Sequence, residues 1–178
     1  MIKKHRFLLC FAGLALSSVL IGCDRVAEDF QVTTDRYEAR AITTYTWQVS
    51  YQGQADIPKA LRQEIFESTS LVNRNGIEPE AAVSGPDDKG LWWPELPPRP
   101  TVDVLEASER QGEQRSAPEL LKKASYEIDF QVDDTPQTLP TSYPVYRQAV
   151  KAAAAEQPLV LTLGPGQASV IKAEPISE

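Results

Sequence analysis

The chain has 178 residues, with 25 acidic against 18 basic side chains for a formal net charge of −7, one histidine and two cysteines. That length suits one domain with a real hydrophobic core. The acidity argues against nucleic acid as a partner and against a polybasic grip on anionic lipid, since both need clustered Lys and Arg.

In chain order the first element is a leader. Lys3, Lys4 and Arg6 precede an apolar run over residues 7–21, interrupted by Gly13, Ser17 and Ser18. These are the basic and hydrophobic regions of an export signal. As a helix the run would reach ~22 Å, short of a ~30 Å hydrocarbon core, so cleavage is expected rather than a permanent span. It ends in Leu20-Ile21-Gly22-Cys23, which resembles the lipobox of bacterial lipoproteins. The resemblance implies cleavage before Cys23, a diacylglycerol thioether on its sulfur and further acylation, by palmitate for example, of the new amino terminus. An uncleaved anchor with Cys23 incidental is the competing reading. Each buried methylene contributes ~0.8 kcal/mol, so two or three acyl chains hold a protein on a bilayer where one binds only marginally. Asp24 resembles the inner-membrane retention signal of enteric lipoproteins, a rule that does not extend to all bacteria, so the choice of membrane stays open.

The expected organisation is a removed signal peptide over residues 1–22, a lipid-anchored polar tether over 23–40 that docks only in part, and one domain over 41–178. Leader removal takes His5 and Cys10, and lipid occupies Cys23. Without imidazole or thiol the mature chain has no Ser-His-Asp or Cys-His catalysis, no disulfide and no zinc site built on Cys or His. No cofactor and no metal are expected. The phosphate-loop, dinucleotide-binding and nucleophile-elbow patterns do not occur.

The mature chain opens its regular structure with a strand over residues 42–52, where Tyr45, Trp47, Val49 and Tyr51 alternate with Thr44, Thr46, Gln48 and Ser50. A helix is expected from Asp56 as cap, through Pro58, to about Ser70, with Ile57, Leu61 and Ile65 as its apolar stripe. Asn75-Gly76 and Gly85-Pro86-Asp87-Asp88 signal turns in a long irregular stretch that reaches about residue 116, with a short helix after Thr101. Ser116-Ala117-Pro118-Glu119 has the form of a capping box for a helix to about Ala124. A second strand follows, with Tyr126, Ile128, Phe130 and Val132 on one face, and then a proline-rich connection. Ser142 starts a helix carrying Tyr146, Ala149, Val150 and Ala153, and Gln157-Pro158 stops it. Leu159 to Leu163 reads as a central strand, and the turn Gly164-Pro165-Gly166-Gln167 returns Val170 to Lys172 as a hairpin. Together these predict an α+β fold: one small, mainly antiparallel sheet of about four strands, two or three helices and a long Pro/Trp-containing loop.

The best candidate contact surface is LWWPELPPRP, residues 91–100. Its prolines favour polyproline II, and Trp92, Trp93 and Arg99 are residue types enriched at interface hot spots. Trp92, Trp93, Pro94, Pro97, Pro98 and Arg99 are therefore the candidate partner-binding residues. The opposing reading, favoured by the usual burial of large aromatic side chains, folds both Trp residues inward to cover the sheet. Among carboxylates, Asp87-Asp88, Asp133-Asp134 and Glu78 with Glu80 read as solvated turn residues rather than an acid–base pair or a calcium loop.

The functional expectation is a non-enzymatic, lipid-anchored cell-envelope protein facing the periplasm or the exterior. Its partners would be the bilayer, through acylated Cys23, and a membrane or envelope protein that it binds or helps assemble. The alternative is a small ligand-binding domain or carboxylate-based hydrolase, gathering distant acids such as Asp103, Asp129 or Glu174 in one cleft. Beyond the lipobox the mature chain resembles no characterised family.

Overall fold

The computed structural model describes residues 30–53 and 61–176. The leader, Cys23 and the start of the expected tether lie outside the described residues, as do Asp56, Ile57 and Pro58. The described residues form eight strands: β1 (Phe30–Thr34), β2 (Tyr37–Gly53), β3 (Leu61–Arg74), β4 (Glu113–Arg115), β5 (Glu119–Val132), β6 (Thr135–Thr141), β7 (Leu159–Leu163) and β8 (Val170–Pro175). Two helices, α1 (Val102–Ser108) and α2 (Tyr143–Ala154), complete them. All strands join one sheet in the order β1-β7-β8-β6-β5-β2-β3, with β4 also on β2. Pairings are antiparallel except that of β6 with β8, which meet only at Thr141 and Val170. This corrects the expected α+β fold with its four-stranded sheet: the molecule is mostly β, one mixed sheet of eight strands with two helices.

Three segments account for the difference. The first is β3, where a helix was expected. Apolar residues spaced by four share a face in a helix and in a strand alike, so Leu61 and Ile65 could not discriminate. Long-range pairing with β2 decides it, from Arg40↔Arg74 to Gln52↔Leu61 with a bulge opposite Trp47. Leu61 and Ile65 then point to solvent, 62% and 56% exposed, while Leu71 and Asn73 are buried.

The second is the supposed capping box. The N–H of Ser116 donates to the C=O of Ser50 (2.8 Å) and its Oγ accepts the N–H of Ser50 (3.1 Å). The residues read as a helix cap thus join β4 to β5 along β2, and residues 119–124 are strand, not helix. The third is the proline-rich connection, which is β6. Its Pro136 and Pro140 pair with β5 on one side, and the other side carries only the Thr141 bridge to β8, so few ladder bonds are lost. Asp133 and Asp134, at φ 48° and 61°, make the two-residue turn between β5 and β6.

Of the remaining elements, α1, α2, β7 and β8 form where the pattern puts them, and β1 does not. Strand β2 is longer than its alternating stretch and begins at Tyr37, while β1, inside the stretch read as tether, pairs along β7 from Phe30↔Leu163 to Thr34↔Leu159. The turn at Gly164 has Gly166 at φ 65° and closes with the N–H of Gln167 on the C=O of Gly164 (2.9 Å). Helix α2 buries Val145, Tyr146, Ala149 and Ala152 against the sheet, with Leu159, Leu161, Ile128 and Phe130 among the facing residues. Its small Ala149 and Ala152 let the sheet approach closely. A second, smaller cluster of Val49, Tyr51 and Leu105 fixes α1 against the far end of β2. Arg62 closes over it, 4.1 Å above the Tyr51 ring and paired with Glu113 at 2.7 Å.

Candidate functional site

The segment over residues 91–99 lies across the inward faces of β2 and β3, where hydrogen bonds from both strands hold it. Asn73 is fully buried and grips the backbone of Trp92 twice: its Oδ1 accepts the Trp92 N–H (2.7 Å) and its Nδ2 donates to the Trp92 C=O (3.1 Å). Thr43 Oγ1 donates to the same carbonyl at 2.7 Å. Further on, Thr69 Oγ1 donates to the Glu95 C=O and the Trp47 indole N–H to the Pro97 C=O (2.9 Å). A loop whose carbonyls would otherwise lose water is thereby satisfied by side chains of the strands beneath it.

Trp93 is only 4% exposed. Its indole N–H donates to Asp87 Oδ2 (2.9 Å), its ring lies 5.1 Å from that of Tyr45, and Lys122 Nζ sits 4.0 Å above it. Asp87 accepts also from the N–H groups of Lys89 and Leu91, both at 3.0 Å. Burial by itself would raise the Asp87 carboxyl. The N–H of Leu91, the Trp93 indole, the N–H of Lys89 and the Lys122 ammonium outweigh it and hold the group below its usual range. The carboxylate is therefore saturated with donors, a clamp rather than a general base. Gly85 completes the clamp at φ 130°, where a Cβ would come within 2.8 Å of the Leu91 C=O.

The six candidate contact residues consequently separate. Trp93, Pro94 and Pro97 are buried and Trp92 is half-buried. Pro98 and Arg99 are exposed, with Arg99 5.7 Å above the Trp47 ring. Leu96, between the buried prolines, is 56% exposed. Sequence reasoning passed over Leu96, and also Thr43 and Asn73, whose polar side chains at inward strand positions were the available signal.

The acids do not converge. Asp129 is engaged by Arg40 at 3.0 Å and lines a groove with Tyr37 and Gln137, whereas Glu174 pairs with Lys172 at 2.9 Å on β8. Asp103 stands in the first turn of α1 and lines neither the groove at Asp129 nor a separate one at Glu174. Among the described residues no three His, Cys, Asp or Glu side chains are grouped to hold a metal ion. A groove of about 480 Å³ between the Asp87–Gly90 turn and α2 is lined by Lys89, Arg147 and Lys151 as well as Asp88. Tyr146 lines it too; its hydroxyl is buried without a hydrogen-bond partner, and burial, then Tyr126 and Tyr143, push it up to about 12.

Comparison with known proteins adds no relative: no family model matches the chain, and no curated protein or solved structure matches it.

Proposed function

We propose that the chain is a non-enzymatic binding or assembly accessory in the cell envelope, held to the bilayer by acylated Cys23 and facing the periplasm or exterior, where it engages a membrane-associated protein. The observation that carries this reading is the loop over residues 91–99. Its backbone is held by Asn73, Thr43, Thr69 and Trp47, yet it turns Leu96, Pro98 and Arg99 to solvent. A loop already fixed in one conformation loses little entropy on binding, and arginine is a residue type enriched at interface hot spots. The competing reading, a carboxylate-based hydrolase, needs acids gathered in one cleft, and Asp103, Asp129 and Glu174 stand apart.

The test is cross-linking in native membranes with the Leu96→Ala, Arg99→Ala double variant. Both side chains are exposed, so the fold should stand, and recovery of the specific partner should fall ~10-fold or more. Equal recovery of the same partners from both proteins would rule the loop out as the contact. Trp93→Ala is the wrong probe, because it opens the Asp87 clamp and confounds contact with folding.

A further inference from the structure

The arginines carried by the sheet are engaged: Arg40, Arg62, Arg74 and Arg115, on strands β2 to β4, each meet a carboxylate. Three other cations are not. Lys89, Arg147 and Lys151 line the groove of about 480 Å³ between the Asp87–Gly90 turn and α2. None of the three is ion-paired among the described residues. In a chain with 25 acidic against 18 basic side chains, cations are the scarcer partner. Three of them unpaired along one groove make a local positive field that an anion from outside the chain can answer.

The two sides of the groove are tied together. Asp87 Oδ1 accepts the N–H groups of Lys89 and Leu91, and the N–H of Gly90 donates to the Asp87 C=O (2.8 Å), which fixes the turn. Tyr143 Oη donates to the Lys89 C=O and accepts from Arg147 Nη1, both at 3.3 Å, so one hydroxyl joins turn to helix. The Lys89 ammonium lies 5.6 Å from the centre of the same ring. Lys151 follows Arg147 by one turn of α2 and shares its face. Of the two acids on the turn, Asp87 is already engaged by the Trp93 indole and Lys122, which leaves the exposed Asp88 against three cations. Tyr146 also lines the groove; it is only 3% exposed, and its hydroxyl has no hydrogen-bond partner among the described residues. A buried hydroxyl left unpaired costs ~1–3 kcal/mol, and a phenol can donate to an oxyanion.

We propose that this groove binds the phosphate group of a small hydroxylated ester, with Lys89, Arg147 and Lys151 around its charge and the Tyr146 hydroxyl donating to one of its oxygens. Phosphate answers the site better than carboxylate does. It carries a charge of about −1.5 to −2 and three oxygens facing different ways, whereas a carboxylate has one charge and two oxygens in a plane. The cations here come from two directions, the turn and the helix, and Arg147 has the planar fork that suits phosphate. Asp88, the one acid left free on the lining, accepts a hydroxyl of the group to which the phosphate is esterified. The groove's volume lies within the ~300–1,000 Å³ of small-molecule sites. A soluble phosphate ester and the glycerophosphate headgroup of an anionic lipid share this chemistry. Only the second source rests on the reading of the chain as membrane-anchored.

Amide NMR of the full chain in phosphatidylcholine nanodiscs, titrated with glycerol 3-phosphate, tests it. The signals of Lys89, Gly90, Arg147 and Lys151 should shift together and saturate with a Kd of ~1 mM or tighter. Glycerate, a hydroxylated carboxylate of similar size, should bind ~10-fold or more weakly. The Arg147→Gln, Lys151→Gln double variant should weaken phosphate binding ~10-fold or more and Tyr146→Phe ~3-fold or more, while Lys123→Gln, at an exposed lysine that does not line the groove, should leave it unchanged. Nanodiscs that also contain phosphatidylglycerol separate the sources. Shifts of the same four signals only when that lipid is present make the headgroup the ligand, and saturation by glycerol 3-phosphate without it makes the soluble ester the ligand. No saturable shift from either source, equal binding of glycerate, or losses in the groove variants no greater than in Lys123→Gln would overturn the proposal. None of these outcomes touches the loop over residues 91–99, whose own test is the membrane cross-link.

Discussion

Asp87 concentrates the chemistry of this molecule in one side chain. It takes two backbone N–H groups and an indole N–H, with Lys122 Nζ 3.9 Å away, and through Trp93 fixes how the loop meets the sheet. In an unfolded chain an aspartate titrates near ~3.9. The folded value lies lower, so this carboxylate contributes stability that is fully present above the unfolded value and fades as pH falls through the folded one. An Asp87→Asn variant keeps the side-chain shape but loses the charge and one acceptor. Urea unfolding should find it less stable than wild type by ~1–3 kcal/mol at neutral pH, with the gap closing below pH ~4. A gap that stays constant down to pH ~3 would mean that the charge of Asp87 does not hold the loop.

Strand β3 is where element-level reasoning is most exposed. In the observed register Ile65 faces solvent opposite Gln48, and Phe66 packs against the Val49, Tyr51 and Leu105 cluster. Ile65→Lys should therefore change stability by no more than ~0.5 kcal/mol, while Phe66→Ala should cost ~2–3 kcal/mol, below the fully buried range because Phe66 is half-buried. The helix expected there would reverse the order, since Ile65 belonged to its apolar stripe. Urea unfolding of the two variants distinguishes the registers. Elements with an unambiguous local signal were legible: the alternation of Tyr126, Ile128 and Phe130, the helix starts at Thr101 and Ser142, and the Gly-Pro-Gly turn before β8. Elements decided by their pairing were not. β3 and the first half of β5 are strands because β2 is long enough to pair with both, and β6 because the Asp133-Asp134 turn folds its proline-rich sequence back along β5. The contact loop shows the same split. Its composition marked it, and the usual burial of large aromatic side chains already favoured an inward Trp93; that Trp92 stays half-buried, held by Asn73 and Thr43, was not legible in WWP.

At the scale of the whole molecule, one sheet with α2 packed against it carries the loop over residues 91–99, with Leu96 and Arg99 turned to solvent. No helix among the described residues is long and apolar enough to cross a membrane, so a place at the bilayer rests on the amino-terminal segment. Two or three acyl chains on Cys23 would hold this acidic domain at the surface, raising its effective concentration near a membrane partner and allowing modest contacts to suffice. Mass spectrometry of the amino-terminal peptide from protein extracted out of native membranes tests that claim most directly. The account predicts a peptide beginning at Cys23 with diacylglycerol on its sulfur. A free Cys23 thiol, or a chain still carrying residues 1–22, would contradict it.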